Sequence, residues 1–314
     1  PPFHGPSNPH HDIQHSQAGP VLETEDERAE AKQLDAKGEA LKSLFEHGQY
    51  TLVPLPAFSY NRNERYWAGT LLPVLQSNDK GDLTNIYAPL YLHNPSIGET
   101  VGMNYFGYPS DNEQYSAALS YSTKIERDID LNYKNVAAGG GRYILAGQAT
   151  WFKNAFRRFF GYGNHALESD ESNYTSRETL LQVTAGINLT PDFAVLWSER
   201  YHDVQVQRGA VDSLPQTQNR FPNLVGLGGA QVFGHKLALR YDTRDKQLVT
   251  TRGTYFNGSI ELNQNVQHKD PNRWIRTSFD AREFLPHYED RLIFVARFLA
   301  DAVNGPGIPF YEQP

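Results

Sequence analysis

The chain has 314 residues, 39% of them hydrophobic, a net charge of -7 and no Cys. The acidic balance argues against nucleic acid as a partner, and the absence of Cys removes disulfides, thiolate metal sites and Cys nucleophiles. At a mean hydropathy of -0.59 no stretch supplies the ~20 apolar residues of a membrane helix, while 18 Tyr, 17 Phe and 4 Trp against 1 Met favour strands.

Residues 1–22 are rich in Pro, His, Gly and Gln, have no apolar period and are expected to form a disordered tail. His4, His10, His11 and His15 sit where nothing fixes a coordination geometry, so no metal is expected there. Over 23–49 a short N-terminal helix is expected. Thr24-Glu25-Asp26-Glu27 is a capping box that opens it, and Gly48 is a suitable stop after His47. Leu34, Leu41, Leu44 and Phe45 give this helix only a thin apolar stripe.

The remainder, 50–314, shows no helical period. It divides into ~11–13 strand-length segments near 51–60, 66–77, 84–93, 99–108, 114–123, 127–136, 142–152, 178–189, 193–206, 233–244, 253–265, 273–284 and 290–301. Turn chemistry separates them, as at Asn78-Asp79-Lys80-Gly81, Gly139-Gly140-Gly141 and Thr190-Pro191-Asp192. Neighbours joined in sequence make an antiparallel up-and-down meander. Several segments sort by face. Leu237, Leu239 and Tyr241 oppose Lys236, Arg240 and Asp242; Leu181, Val183, Ala185 and Ile187 oppose Gln182, Thr184 and Asn188. Leu292, Phe294, Ala296 and Phe298 oppose Arg291 and Arg297.

A soluble sandwich and a wall between lipid and a polar lumen both alternate in this way. Two features favour the wall. Link lengths alternate between long, near Phe160 and Phe221, and short, at Thr190-Pro191-Asp192 and Pro286-His287. Trp151, Tyr201, Tyr241, Tyr255 and Trp274 lie near segment ends, as an aromatic girdle does. The fold class expected is therefore all-β, an up-and-down transmembrane β-barrel with lipid outside. The long links should be extracellular and the short ones periplasmic. Leu181, Leu239 and Phe294 should face lipid, and Arg240 and Arg297 the lumen.

Arg240, Asp242, Arg244, Asp245, Arg276, Asp280, Arg282 and Arg297 form a candidate lumen network, structural or engaged in transport. Gly161-Tyr162-Gly163-Asn164-His165-Ala166 imitates a dinucleotide fingerprint without the flanking buried strand and helix. No G-x-S-x-G, H-E-x-x-H or P-loop pattern occurs. Catalytic residues, cofactors and metals are not expected, and the chain is not read as an enzyme.

Four stretches together resemble the Omp85 superfamily, the BamA/TamA-like outer-membrane barrels with a surface antigen D15 domain, over about 51–314. They are Leu52-Val53-Pro54-Leu55-Pro56-Ala57-Phe58-Ser59-Tyr60, Phe160-Gly161-Tyr162-Gly163-Asn164 with Tyr174-Thr175, Tyr241-Asp242-Thr243-Arg244-Asp245 with Arg252-Gly253, and Ile308-Pro309-Phe310-Tyr311-Glu312. The resemblance implies a sixteen-stranded barrel in the bacterial outer membrane that inserts or translocates protein clients. Three departures stand out. Thr250 replaces the family's Pro before the Thr-x-Gly turn. The segment before the first strand is too short for a POTRA domain. The family's Arg-Gly-Phe/Tyr loop and its closing strands are not found in 51–314. An incomplete barrel is therefore expected, an open curved sheet in which 51–60 and 290–301 do not pair with each other. A missing C-terminal segment or a second chain would complete it. Two other readings are the barrel anchor of an envelope enzyme, such as a patatin-like lipase, and a soluble all-β binding domain.

Overall fold

The computed structural model describes residues 46–62, 64–163, 166–245, 250–267, 272–288 and 291–313. The chain divides into residues 1–47 and a unit Gly48–Pro314. The tail expected over 1–22, with its four His, lies outside the described residues, as does the helix expected over 23–49 except for its last four residues. Those four are not helical. β1 (Glu46–His47) is an extended pair, and Gly48 turns the chain at φ +62°, where a residue without Cβ carries no strain.

In the larger unit, period-2 alternation sets the strands. The first two expected segments are each broken once. β2 (Tyr50–Leu52) and β3 (Leu55–Asn61) flank Val53-Pro54, and β4 (Arg65–Leu71) and β5 (Val74–Ser77) flank Leu72-Pro73. Proline has no N–H for the ladder, and the breaks fall at Pro54 and Pro73, while Pro56 and Pro89 are carried within β3 and β6. Eleven continuous strands follow. They are β6 (Leu83–Asn94), β7 (Gly98–Ser110), β8 (Glu113–Ser122), β9 (Arg127–Ala137), β10 (Tyr143–Phe159), β11 (Ser172–Asn188), β12 (Phe193–Arg208), β13 (Ala230–Asp242), β14 (Gly253–Asn265), β15 (Arg273–His287) and β16 (Leu292–Asn304).

From β6 to β16 each strand pairs antiparallel with its sequence neighbour. The architecture is the up-and-down transmembrane β-barrel sheet expected from the sequence. It is open: among the described residues β16 pairs with β15, and neither β2 nor β3 pairs with β16. The two faces differ as expected. Leu181, Val183, Leu239, Phe294 and Phe298 are 43–62% exposed on the outward face, an apolar wall that water would not favour. The inward face carries most of the charges, among them Arg200, Arg240, Asp280 and Arg297. Apolar packing is confined to small clusters at the long-link end and on the inward face. One joins Ile97, Ala155 and Phe156 to Trp67; the other joins Ala230, Val232 and Trp274 to Ile308 and Tyr311.

Candidate functional site

The inward face is organised around Arg200 of β12. Its position follows from parity, because Ser198, Arg200 and His202 alternate with outward Trp197, Glu199 and Tyr201. Register then places Arg200 opposite Gln182 on β11 and Gly234 on β13. Gly234 leaves room for the guanidinium, since a Cβ there would meet Arg200 Nε at 3.3 Å and Glu261 Oε1 at 2.4 Å.

Three acids converge on Arg200 and its neighbour His202. Arg200 Nε donates to Glu261 Oε1 at 2.8 Å, and Nη2 donates to Asn263 Oδ1 at 2.7 Å. Nη1 and Nη2 grip Glu312 as a fork at 3.1 and 3.0 Å. His202 Nδ1 lies 2.7 Å from Glu312 Oε1, and its Nε2 lies 3.1 Å from Glu178 Oε2. Both ring nitrogens face carboxylate oxygens, so the ring satisfies them only by donating from both. Arg157 Nη2 closes the set on Glu178 Oε1 at 3.2 Å. Three acids therefore face two arginines and a histidine.

Glu312 does not belong to a strand. It ends a segment that follows β16 and returns to the inward face of β11 and β12. Phe310 N–H donates to Val225 O at 3.0 Å, and the Phe310 ring stands edge-on to Phe159 and Tyr174 at 5.1 Å each. Gly226 has φ +97°, and a Cβ there would come within 3.0 Å of Pro309 and Tyr311, so only glycine allows the approach. Burial pushes the Glu312 carboxyl up, but hydrogen bonding from His202 and the charge and donors of Arg200 outweigh it and hold the group at about 2. Burial, reinforced by the Glu312 charge, pushes the Tyr311 phenol up.

The network expected from the sequence divides into smaller groups. Arg244 grips Asp242 through two bonds of 2.8 Å, and its guanidinium lies 4.6 Å from the Tyr255 ring centroid. The Arg282 guanidinium lies 5.2 Å from the centroid of the same ring and binds Asp280, which Arg297 also holds at 3.0 Å. Asp242, Arg244, Arg282, Asp280 and Arg297 thus form one chain through Tyr255. Arg276 sits apart, paired with Asp301. Arg240 reaches Asn188 Oδ1 at 3.4 Å, and with Arg244 and Arg142 it lines a cleft of about 720 Å³ at the short-turn end. Asp245, expected in the lumen network, instead lies past the end of β13, where its carboxylate accepts Thr251 N–H at 2.9 Å.

Parity assigns the strand residues of the Arg200 cluster to the inward face. No local pattern announces that Glu312, 112 residues from Arg200, completes it. The only signal was the stretch Ile308-Pro309-Phe310-Tyr311-Glu312 itself.

A two-faced β-wall, apolar outside and ionic inside, with a loop returned to its inner surface, defines a membrane-spanning barrel protein. Residues 104–313, more than half of the chain, match the family model for the Omp85 superfamily domain, and the chain belongs to the Omp85 superfamily. No curated protein matches it by sequence. Among solved structures, BamA from Haemophilus ducreyi lacking POTRA domains 1-3 is similar at 14% identity and a TM-score of 0.46. The similarity covers 88% of this chain and 52% of that one, so the chain spans about half the length of that protein.

Proposed function

We propose that this chain is the non-catalytic barrel part of a bacterial outer-membrane protein that inserts or translocates polypeptides. Its partners are outer-membrane lipid and unfolded protein clients, and a further segment or second chain completes the wall. The observation that carries the reading is the ionic latch at Glu312. A transport wall needs a polar interior, and here the segment returned to the inner face is held against it by one carboxylate in a two-armed arginine grip. Of the eight charged residues expected from the sequence, all but Asp245 serve this reading as the polar lining of the inner wall.

The test uses the protein reconstituted in liposomes with a small, urea-unfolded β-barrel as client. Insertion should be faster than in protein-free liposomes, and in planar bilayers Glu312→Gln should raise ion conductance above wild type. Equal insertion with and without the protein would remove the proposed function. Unchanged conductance would remove the latch from it.

A further inference from the structure

On the outward face, three cations stand side by side on three adjacent strands. Register puts Lys153 of β10 directly opposite Arg127 of β9 and directly opposite Arg177 of β11. All three share the parity of outward-facing neighbours: Ile129 and Leu131 on β9, Trp151 on β10 and Leu181 on β11. Adjacent strands are ~4.8 Å apart, so three positive charges fall within ~10 Å. Like charges directly opposed across a ladder destabilise it unless an anion lies among them. Among the described residues neither Lys153 nor Arg177 has an ion-pair partner, and Arg127 spends Nη1 on the carbonyls of Ser122 and Glu126 at 2.6 and 2.7 Å.

The setting of this row names the ligand. Tyr121 lies under the Arg127 guanidinium at 3.7 Å, and Trp151 lies 5.8 Å from that of Arg177. Both rings sit where an aromatic girdle marks the membrane boundary at the long-link end. Below the row and one layer further in, past Ile129, Trp151 and Thr179, the surface is hollowed toward the middle of the wall. Gly147 and Ala149 on β10 carry almost no side chain between Leu131 and Tyr133 on one side and Leu181 and Val183 on the other. This apolar groove has a volume of about 600 Å³. A Cβ on Gly147 would meet nothing nearer than 3.9 Å, so the hollow is not filled from within. The groove's one carboxylate, Glu199, is occupied by Trp197 Nε1 and His235 Nδ1, each at 2.6 Å. Cations at the boundary with an apolar channel running inward from them match an anionic headgroup with an acyl chain.

We propose that the outer wall binds a phosphate-bearing lipid, its headgroup on Arg127, Lys153 and Arg177 and one acyl chain in the groove over Gly147 and Ala149. The guanidinium forks suit phosphate oxygens, and the groove distinguishes a lipid from free phosphate.

The experiment exchanges the detergent-purified protein into mixed micelles of phosphatidylcholine and phosphatidylglycerol and counts retained lipids by native mass spectrometry. Wild type should prefer phosphatidylglycerol by about tenfold or more, and R127Q/K153Q/R177Q should lose that preference. Gly147→Leu fills the groove but keeps the cations, and should lower phosphatidylglycerol retention. Excess inorganic phosphate is the remaining arm. If it binds wild type and Gly147→Leu alike and displaces the lipid fully, the site takes a free oxyanion and the lipid assignment falls. Should the triple variant fail to fold, Lys153→Gln alone is read, because its side chain holds nothing else in place. Unchanged preference in the variant that folds overturns the proposal.

Discussion

At the scale of single residues, face and burial decide outcomes that composition cannot. Leu239 and Arg240 are consecutive on β13, one outward and one inward. Leu239→Arg places a charge in hydrocarbon and should cost ~2–4 kcal/mol, whereas Arg240→Leu should cost less than half as much. Urea unfolding in lipid vesicles measures both, and equal losses would mean the face is misassigned. Glu126, in the turn between β8 and β9, gives a residue-scale pH effect. Burial lifts its carboxyl to about 7, against the opposing Ala155 N–H, with Glu64 and Asp128 adding to the rise. Its folded value lies above its ordinary one, so its stabilisation is full below the ordinary carboxyl range and is lost as pH rises through about 7. Wild type should therefore lose unfolding midpoint between mildly acidic and mildly alkaline buffer. Glu126→Gln should flatten that slope, and an identical slope in both proteins would dismiss the effect.

At the scale of elements, the long link between β12 and β13 is gathered at one point by the Asn173 side chain. Asn173 Nδ2 donates to the carbonyls of Val211, Leu214 and Pro215 at 3.1–3.2 Å, and Oδ1 accepts Val211 N–H at 3.0 Å. Asn173→Ala removes the partner of Leu214 O and of Val211 N–H, and one of two donors to Val211 O and Pro215 O, and should cost ~1–3 kcal/mol. Trypsin should then cut at Arg220 faster than in wild type, and an unaltered rate would show that other contacts hold the link. The strands themselves were largely legible, because alternation holds along most segments that have one face toward lipid, although β16 departs from it at Val295 and Leu299. It was weaker elsewhere. β10 and β11 run on to Phe159 and begin at Ser172, past the limits expected at 152 and 178, because beyond the girdle nothing enforces alternation and a bulge between Asn154 and Arg157 breaks the period. The breaks at Pro54 and Pro73 were written in the sequence and overlooked, since each half-strand keeps the parity of the whole. The candidate network was legible as a face but not as pairs. Asp280 serving both Arg282 and Arg297 depends on the offset between β15 and β16, which turn length sets and alternation does not.

At the scale of the whole molecule, the open sheet is held in its curvature partly by charge. Glu312 joins the end of the meander to its middle, and acid should loosen that joint. Its folded value, about 2, lies below its ordinary one, so its stabilisation is present above the ordinary carboxyl range and fades as pH falls toward about 2. Single-channel conductance should accordingly be steady from neutral to mildly acidic buffer and rise only in strong acid. A rise already complete at mildly acidic pH would point to another group.

The same joint has a consequence in time. The Arg200–Glu312 contact spans 112 residues, and most other pairings in the sheet join neighbours along the chain. The chain entropy lost in closing so long a loop delays that contact until the strands between are in place. Glu312 then belongs after the folding barrier, where a contact resists departure from the native state without hastening arrival. Glu312→Gln should quicken unfolding and leave the rate of folding into vesicles as it was. The fork at Arg200 would thus set how long the finished wall survives, while the hairpins alone set how fast it is made.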